Sequence, residues 1–207
     1  MTKILLDSHS FVLMTAKRKH PAIAGLLQRN GVITIQRPKG NSLFEFLART
    51  VVGQQLSVKA ARTIWGRLSQ LGKSEDKTFT ELFKDHYRSK ISGCGVSQAK
   101  TKALLLLNEA FLKGQINEKR IREASYQDIS KIITSLWGFG TWSADMVAIF
   151  YVQLPDVWPE NDVALNRGLK ILIQNGDPVL IAQHYCPKRT YLAMHIWKGL
   201  DSGTING

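Results

Sequence analysis

The sequence predicts an all-α protein, either one compact domain or one body with two lobes. Three observations lead there. Apolar residues recur at helical spacing along nearly the whole chain. Short hydroxyl and acidic residues stand where the periodic segments begin, as helix caps do. Only Gly31 to Ile35 has strand character, and that run is short.

Taken in order, the first 40 residues read as a small helical start, not a separate domain. Lys17, Arg18, Lys19 and His20 form a basic run there that suits a solvated surface. Ser57 precedes a helix that turns Ala61, Ile64, Trp65, Leu68 and Leu71 inward. Thr78 and Glu81 match a capping box. Ser97 opens a helix running to about Leu112. Asp128 is the expected N-cap of a segment with Ile129, Ile132, Ile133, Leu136 and Trp137 on one face. A second helix starts at Thr141, which makes residues 128–153 a helix–turn–helix hairpin. Ala193, Ile196, Trp197 and Leu200 form a last amphipathic face. Nine or ten helices are expected in total, within a single domain over residues 1–207.

The chain has 207 residues and carries a net charge of +12, from 28 Lys and Arg against 16 Asp and Glu. Such an excess suits a polyanionic partner, because bound Lys and Arg release counterions from phosphates. There are two cysteines, Cys94 and Cys186, too few for a four-thiolate zinc or iron–sulfur site. No apolar run approaches the ~20 residues needed to span a bilayer. With no secretory signal, a reduced cytoplasmic setting is expected, at the nucleoid in a bacterium or in the nucleus of a eukaryote.

The most specific stretch runs from Leu136 to Asp162. Gly138 and Gly140 flank Phe139 between two helical patterns, and glycine permits a sharp reversal with positive φ. The first N–H groups of the next helix have no partner within it, and its dipole favours an anion there. Gly138, Phe139, Gly140, Thr141 and Ser143 are therefore candidates for gripping a phosphate backbone. An ordinary helical corner with a glycine C-cap has the same pattern.

Four ordered segments resemble the helix-hairpin-helix DNA glycosylase superfamily, and within it the alkylated-base branch (3-methyladenine, type II). They are Val52-Gly53-Gln54-Gln55-Leu56-Ser57, Gly95-Val96-Ser97-Gln98-Ala99-Lys100, Leu136-Trp137-Gly138-Phe139-Gly140 with the trailing Asp162, and Arg189 to Trp197. The match covers about residues 43 to 200. It implies a two-lobed helical bundle with its active site in the cleft between lobes. Departures from the pattern are informative. The stretch ahead of Leu43 is too short for the N-terminal β domain of some members. Asn161 stands where many have glycine before the aspartate. Trp142 stands where bifunctional members have lysine.

The resemblance also assigns roles. Asp162 is the catalytic carboxylate, which would stabilise positive charge developing on the sugar. The same residue reads locally as the N-cap of the helix from Val163. Trp142 and Trp197 are base-stacking positions, apt for a cationic alkylated purine. Met146 falls on the pocket wall where one type of member has tyrosine. Gln55 lies at the position that fills the space a flipped base leaves, with Gln54 beside it in the pocket. Both amides could instead cap neighbouring backbone. Trp137, Trp158 and Phe139 suit core or turn packing. Lys59, Lys100, Arg167 and Arg189 suit phosphate or core-edge pairing. The hairpin carbonyls of residues 136–140 could hold a monovalent cation. No cofactor is implied.

The activity implied is monofunctional removal of alkylated purines from double-stranded DNA by a monomer, leaving an abasic site. Without lysine at position 142, a Schiff-base step has no obvious nucleophile. Three rival readings are a non-enzymatic hairpin module that binds DNA, a glycosylase for another damaged base, and a helical protein scaffold.

Overall fold

The structure is a computed structural model, which describes residues 3–35 and 42–205. Every regular element among these residues is helical. The chain opens with α1 (Lys3–Lys19) and α2 (Pro21–Asn30). Eight helices follow: α3 (Leu43–Gly53), α4 (Val58–Ser74), α5 (Phe79–Leu82), α6 (Arg88–Gly93), α7 (Gln98–Leu112), α8 (Glu118–Glu123), α9 (Tyr126–Thr134) and α10 (Thr141–Met146). A 3₁₀ turn (Asp85–Tyr87) precedes α6, and a π-helical segment (Val147–Val152) continues α10. The chain ends with α11 (Val163–Leu172), α12 (Pro178–Gln183) and α13 (Arg189–Asp201).

Several helix starts follow local chemistry. Ser57, Ser97 and Ser42 each accept a hydrogen bond from the backbone three residues on, opening α4, α7 and α3. Thr78 and Glu81 form the expected capping box ahead of α5. Three expectations are corrected. Ser125, not Asp128, caps α9; Asp128 is its third helical residue and bonds back to the Ser125 hydroxyl. Gly31 to Ile35 forms no strand, because among the described residues no other strand exists to pair with it. The helices also outnumber the nine or ten expected, since α5, α6, α8 and α12 have only four to six residues. One or two turns are too short to show an apolar period.

The chain divides into two compact units, Met1–Arg37 with Ala148–Gly207, and Pro38–Val147. In the second, hereafter the hairpin unit, α3 packs on α4, α7 and α10. Leu43, Leu47 and Val51 from α3 are fully buried, as are Leu68 and Leu104 of the same unit. Buried Asn108 donates to the carbonyls of Thr80 and Phe83, satisfying loop oxygens that α5 leaves open.

The other unit, hereafter the aspartate unit, joins the two ends of the chain. Its core includes Leu26 and Leu27 from α2, Leu165 and Leu169 from α11, Tyr185, and Ile196 from α13. Each such side chain contributes roughly 1.5–3 kcal/mol by leaving water. α11 and α13 approach closely at Gly168, where an added Cβ would lie 2.7 Å from Ile196. Both cysteines are free, Cys94 buried and Cys186 exposed. No described helix is long and apolar enough to cross a membrane.

Candidate active site

In the hairpin unit, α9 and α10 are joined by a turn whose only left-handed residue is Gly138, at φ +85°. An added Cβ there would meet the Ala103 Cβ at 2.8 Å, so both conformation and space demand glycine. Gly140 differs from the expectation: its φ is −107°, and nothing crowds it. Its role is the N-cap of α10, where it brings no side-chain acceptor to the first turn. Buried Asp145 on α10, 2% exposed, accepts a 2.6 Å bond from the Tyr126 hydroxyl on α9. That bond ties the two arms of the hairpin together.

The aromatics of the turn do not behave alike. Phe139 is buried, so its side chain supports the turn from inside. Trp137, for which core or turn packing is expected, lies in the turn and is 46% exposed, with the Lys102 ammonium 4.5 Å from its ring centroid. Ser143 is buried; its N–H donates to Gly140 O and its hydroxyl accepts from Gln54. Both groups are thus engaged within the hairpin unit, on Gly140 and on Gln54. Thr141 is exposed at the first position of α10. Half-buried Trp142 and buried Met146 lie one turn apart and share a helix face.

The two glutamines after α3 do separate jobs. Gln54 Nε2 donates to Gly138 O at 3.0 Å and to Ser143 Oγ at 3.3 Å. The capping alternative thus describes its amide nitrogen, which braces the hairpin. Gln55 is exposed and left-handed, at φ +57°. A non-glycine residue costs about 1–3 kcal/mol in that region and persists where its surroundings impose it. Lys100, unassigned by sequence, donates to Val52 O at 2.9 Å and Gln54 O at 2.7 Å. Burial holds its ammonium below the usual lysine pKa.

In the aspartate unit, Asp162 caps α11, its Oδ1 accepting from the Leu165 N–H at 2.6 Å. The same oxygen accepts from Trp197 Nε1 at 3.3 Å. Trp197 is half-buried on α13, 5.8 Å from the Phe150 ring between centroids. The segment leading to Asp162 is pinned to α13. Thr190 Oγ1 accepts from Val157 N–H and donates to Leu154 O, and Arg189 pairs with Asp156 at 2.8 Å. Burial alone would raise the Asp156 carboxyl, but hydrogen bonds from Arg189 outweigh it and hold the pKa below its ordinary value. Arg189 is thus a core-edge pair, while Lys59 and Arg167 are exposed.

The hairpin carbonyls are oxygens of the kind a monovalent cation takes. Leu136 O already accepts from Phe139 N–H, Gly138 O from Gln54, and Gly140 O from the Ser143 and Ala144 amides. Leu136 O and Gly138 O each keep a second lone pair that a cation would share with the hydrogen bond, whereas Gly140 O already accepts from two amides. Among the described residues, no group of three or more His, Cys, Asp or Glu could hold a metal ion.

An all-helical chain with a glycine-turned hairpin and an aspartate capping a later helix has the architecture of the helix-hairpin-helix DNA glycosylases. No family model matches the chain. It is 30% identical over 162 residues to DNA-3-methyladenine glycosylase 1 of Schizosaccharomyces pombe, covering 75% of this chain and 71% of that protein. The fold matches the solved 3-methyladenine DNA glycosylase of the same yeast in complex with abasic DNA, with a TM-score of 0.78 at 23% identity, over 91% of this chain and 96% of that one. A DNA-3-methyladenine glycosidase from Bacillus halodurans gives a TM-score of 0.74 at 24% identity, over 95% and 91%. The chain belongs to the DNA-3-methyladenine glycosylase branch of the helix-hairpin-helix superfamily of DNA-repair glycosylases.

Proposed function

We propose that this protein removes N-alkylated purines of the 3-methyladenine and 7-methylguanine type from double-stranded DNA, and that it does so as a monofunctional hydrolase. The observation that supports this best is the fixed carboxylate of Asp162. Two N–H donors hold one of its oxygens, from Leu165 and Trp197. A carboxylate aimed in advance stabilises developing charge without reorganising during the reaction.

The reading assigns steps to residues. A glycosylase must swing its target nucleotide out of the stack. The turn from Gly138 to Thr141 would hold a backbone phosphate, fixing register without reading sequence. Gln55, held outward in the left-handed region, would enter the space the base leaves. Trp142 in the hairpin unit and Trp197 beside Asp162 each offer an indole face, and a cationic base on such a face gains roughly 0.5–2 kcal/mol. Asp162 would then stabilise the sugar as the N-glycosidic bond breaks, and would orient the water that adds at C1′. The base leaves with the bonding electron pair. A cationic alkylated base leaves as a neutral molecule, so no strong general acid is required. Trp142 cannot form the Schiff base that a lysine at its position would.

The test is a panel of single-lesion duplexes scored for free base and, separately, for strand cleavage without alkali. Free 3-methyladenine or 7-methylguanine with intact strands is expected. Strand nicking coupled to base release would overturn the monofunctional claim. Release confined to oxidised or deaminated bases would overturn the substrate assignment. Asp162→Asn keeps a good helix cap while removing the charge. It should lower release by about 10²–10³-fold and leave DNA affinity intact. Release at the wild-type rate by that variant would overturn the role given to Asp162, and DNA binding by the unaltered protein with no release from any lesion would favour the non-enzymatic hairpin reading.

A further inference from the structure

We propose that Lys100 is a positioning residue for base excision, which holds the Gln54–Gln55 turn so that Gln55 is presented to the duplex. The inference rests on the reading of Gln55 given above, and every contact it uses lies within the hairpin unit.

Lys100 is placed oddly for a residue that serves its own helix. It is the third residue of α7, whose cap is Ser97. A positive charge in the first turn opposes the helix dipole. Its ammonium instead reaches the end of α3, where Val52 O and Gln54 O accept from it. Those carbonyls lie where a helix runs out of its own donors, and a cation there is favoured by the dipole of α3. The lysine is therefore matched to α3 and mismatched to α7.

What it holds is strained. Gln55 follows directly, with φ +57° and an exposed side chain. Gln54, whose carbonyl Lys100 grips, sends its amide to Gly138 O and Ser143 Oγ. A single residue pair thus links three things: the end of α3, the turn carrying Gln55, and the turn of the hairpin. A lysine that only capped α3 would need one carbonyl and no strained neighbour. Fixing Gln54 from both sides sets where Gln55 begins.

A double-mutant cycle tests this. Lys100→Met keeps the aliphatic stem and removes both hydrogen bonds. It is expected to slow single-turnover release from a fully paired lesion by about tenfold, as a misplaced group does, with duplex affinity changed less than about threefold. Gln55→Ala should cause a similar loss, and Lys100→Met added to it should cost no more than about twofold further, because the two act as one unit. A lesion opposite an abasic site, which needs no filling of the stack, should be much less sensitive to either change. Independent, multiplying losses would overturn the proposal, as would equal losses on both duplexes. If Lys100→Met does not fold, Lys100→Gln, which removes the charge and shortens the reach, decides in the same cycle by the same criteria. A 2-aminopurine placed beside the lesion reports unstacking without requiring chemistry. Weaker unstacking in the Lys100 variant supports the positioning role even if wild-type protein releases no alkylated base. In that event the activity assignment fails alone.

Discussion

The hairpin unit and the aspartate unit prepare their candidate residues in opposite ways. In the first, side chains grip backbone: Gln54 takes Gly138 O, and Lys100 takes Val52 O and Gln54 O. The outcome is a shaped main chain, with Gly138 and Gln55 both left-handed. In the second, the functional group is itself gripped: the Asp162 carboxylate accepts from the Leu165 amide and from Trp197. A surface that must follow a phosphate chain needs its backbone set. A group that must face one developing charge needs its side chain set. Among the candidate residues, strain accordingly falls on Gln55 in the first unit, and capping on Asp162 in the second.

This contrast breaks most visibly in a crossed pair of variants. Asp162→Asn should abolish most release, by about 10²–10³-fold, while duplex affinity by fluorescence anisotropy stays the same. Gly138→Ala should do the reverse, because its methyl meets Ala103 and a left-handed alanine is strained. A loss of roughly 2–3 kcal/mol in stability or binding is expected, with the rate at saturating protein far less affected. If both variants lose affinity equally, the division between gripping and chemistry is wrong.

A smaller effect separates the units by pH. His195 on α13 is buried, which pushes its pKa down to about 3, with help from His9 and Lys198. Its Nδ1 lies 3.2 Å from the Asn30 amide. The folded state keeps this ring neutral, whereas the unfolded chain takes up a proton near pH 6.5. Stability present above pH 6.5 is therefore lost as pH falls toward 3. Between pH 7 and pH 5 the loss is about 2 kcal/mol. His9 and His20 of the same unit, both shifted downward by burial, push in the same direction. Urea unfolding at the two pH values should show a shallower pH dependence in His195→Asn, and an unchanged slope would refute the assignment.

The smallest effect tests the carboxylate's second donor. Trp197→Phe keeps a ring against Phe150 and removes the Nε1 bond to Asp162, which is long at 3.3 Å. About a fivefold slower release is expected, with base-stack affinity near wild type. A loss as large as that of Asp162→Asn would mean that the indole, not the Leu165 cap, aims the carboxylate.

Much of the fold was legible because caps are local. Ser57, Ser97 and the Thr78–Glu81 pair each act within one turn, so spacing alone exposes them. The Gly31–Ile35 run misled because its β-branched residues lack a partner strand, which no local pattern reports. Trp137 and Phe139 read alike as core or turn packing, yet the first is exposed and the second buried. Both flank a left-handed glycine, where helical periodicity no longer says which side faces inward. Asp162 was readable as cap and candidate catalyst together. Lys100, Asp145 and Lys102 were not, since their partners lie 19 to 48 positions away for the first two and on another element for the third.

Gly138 has a bearing on how such a hairpin can be moved between proteins. Its tight seat against Ala103 belongs to α7, and its carbonyl is held by a residue that follows α3. A peptide spanning α9 and α10 alone would carry the glycine motif without the neighbours that hold its turn. Portability therefore belongs to the whole unit rather than to the motif, and a transplanted loop would need small residues beneath it and an amide above it to keep its shape.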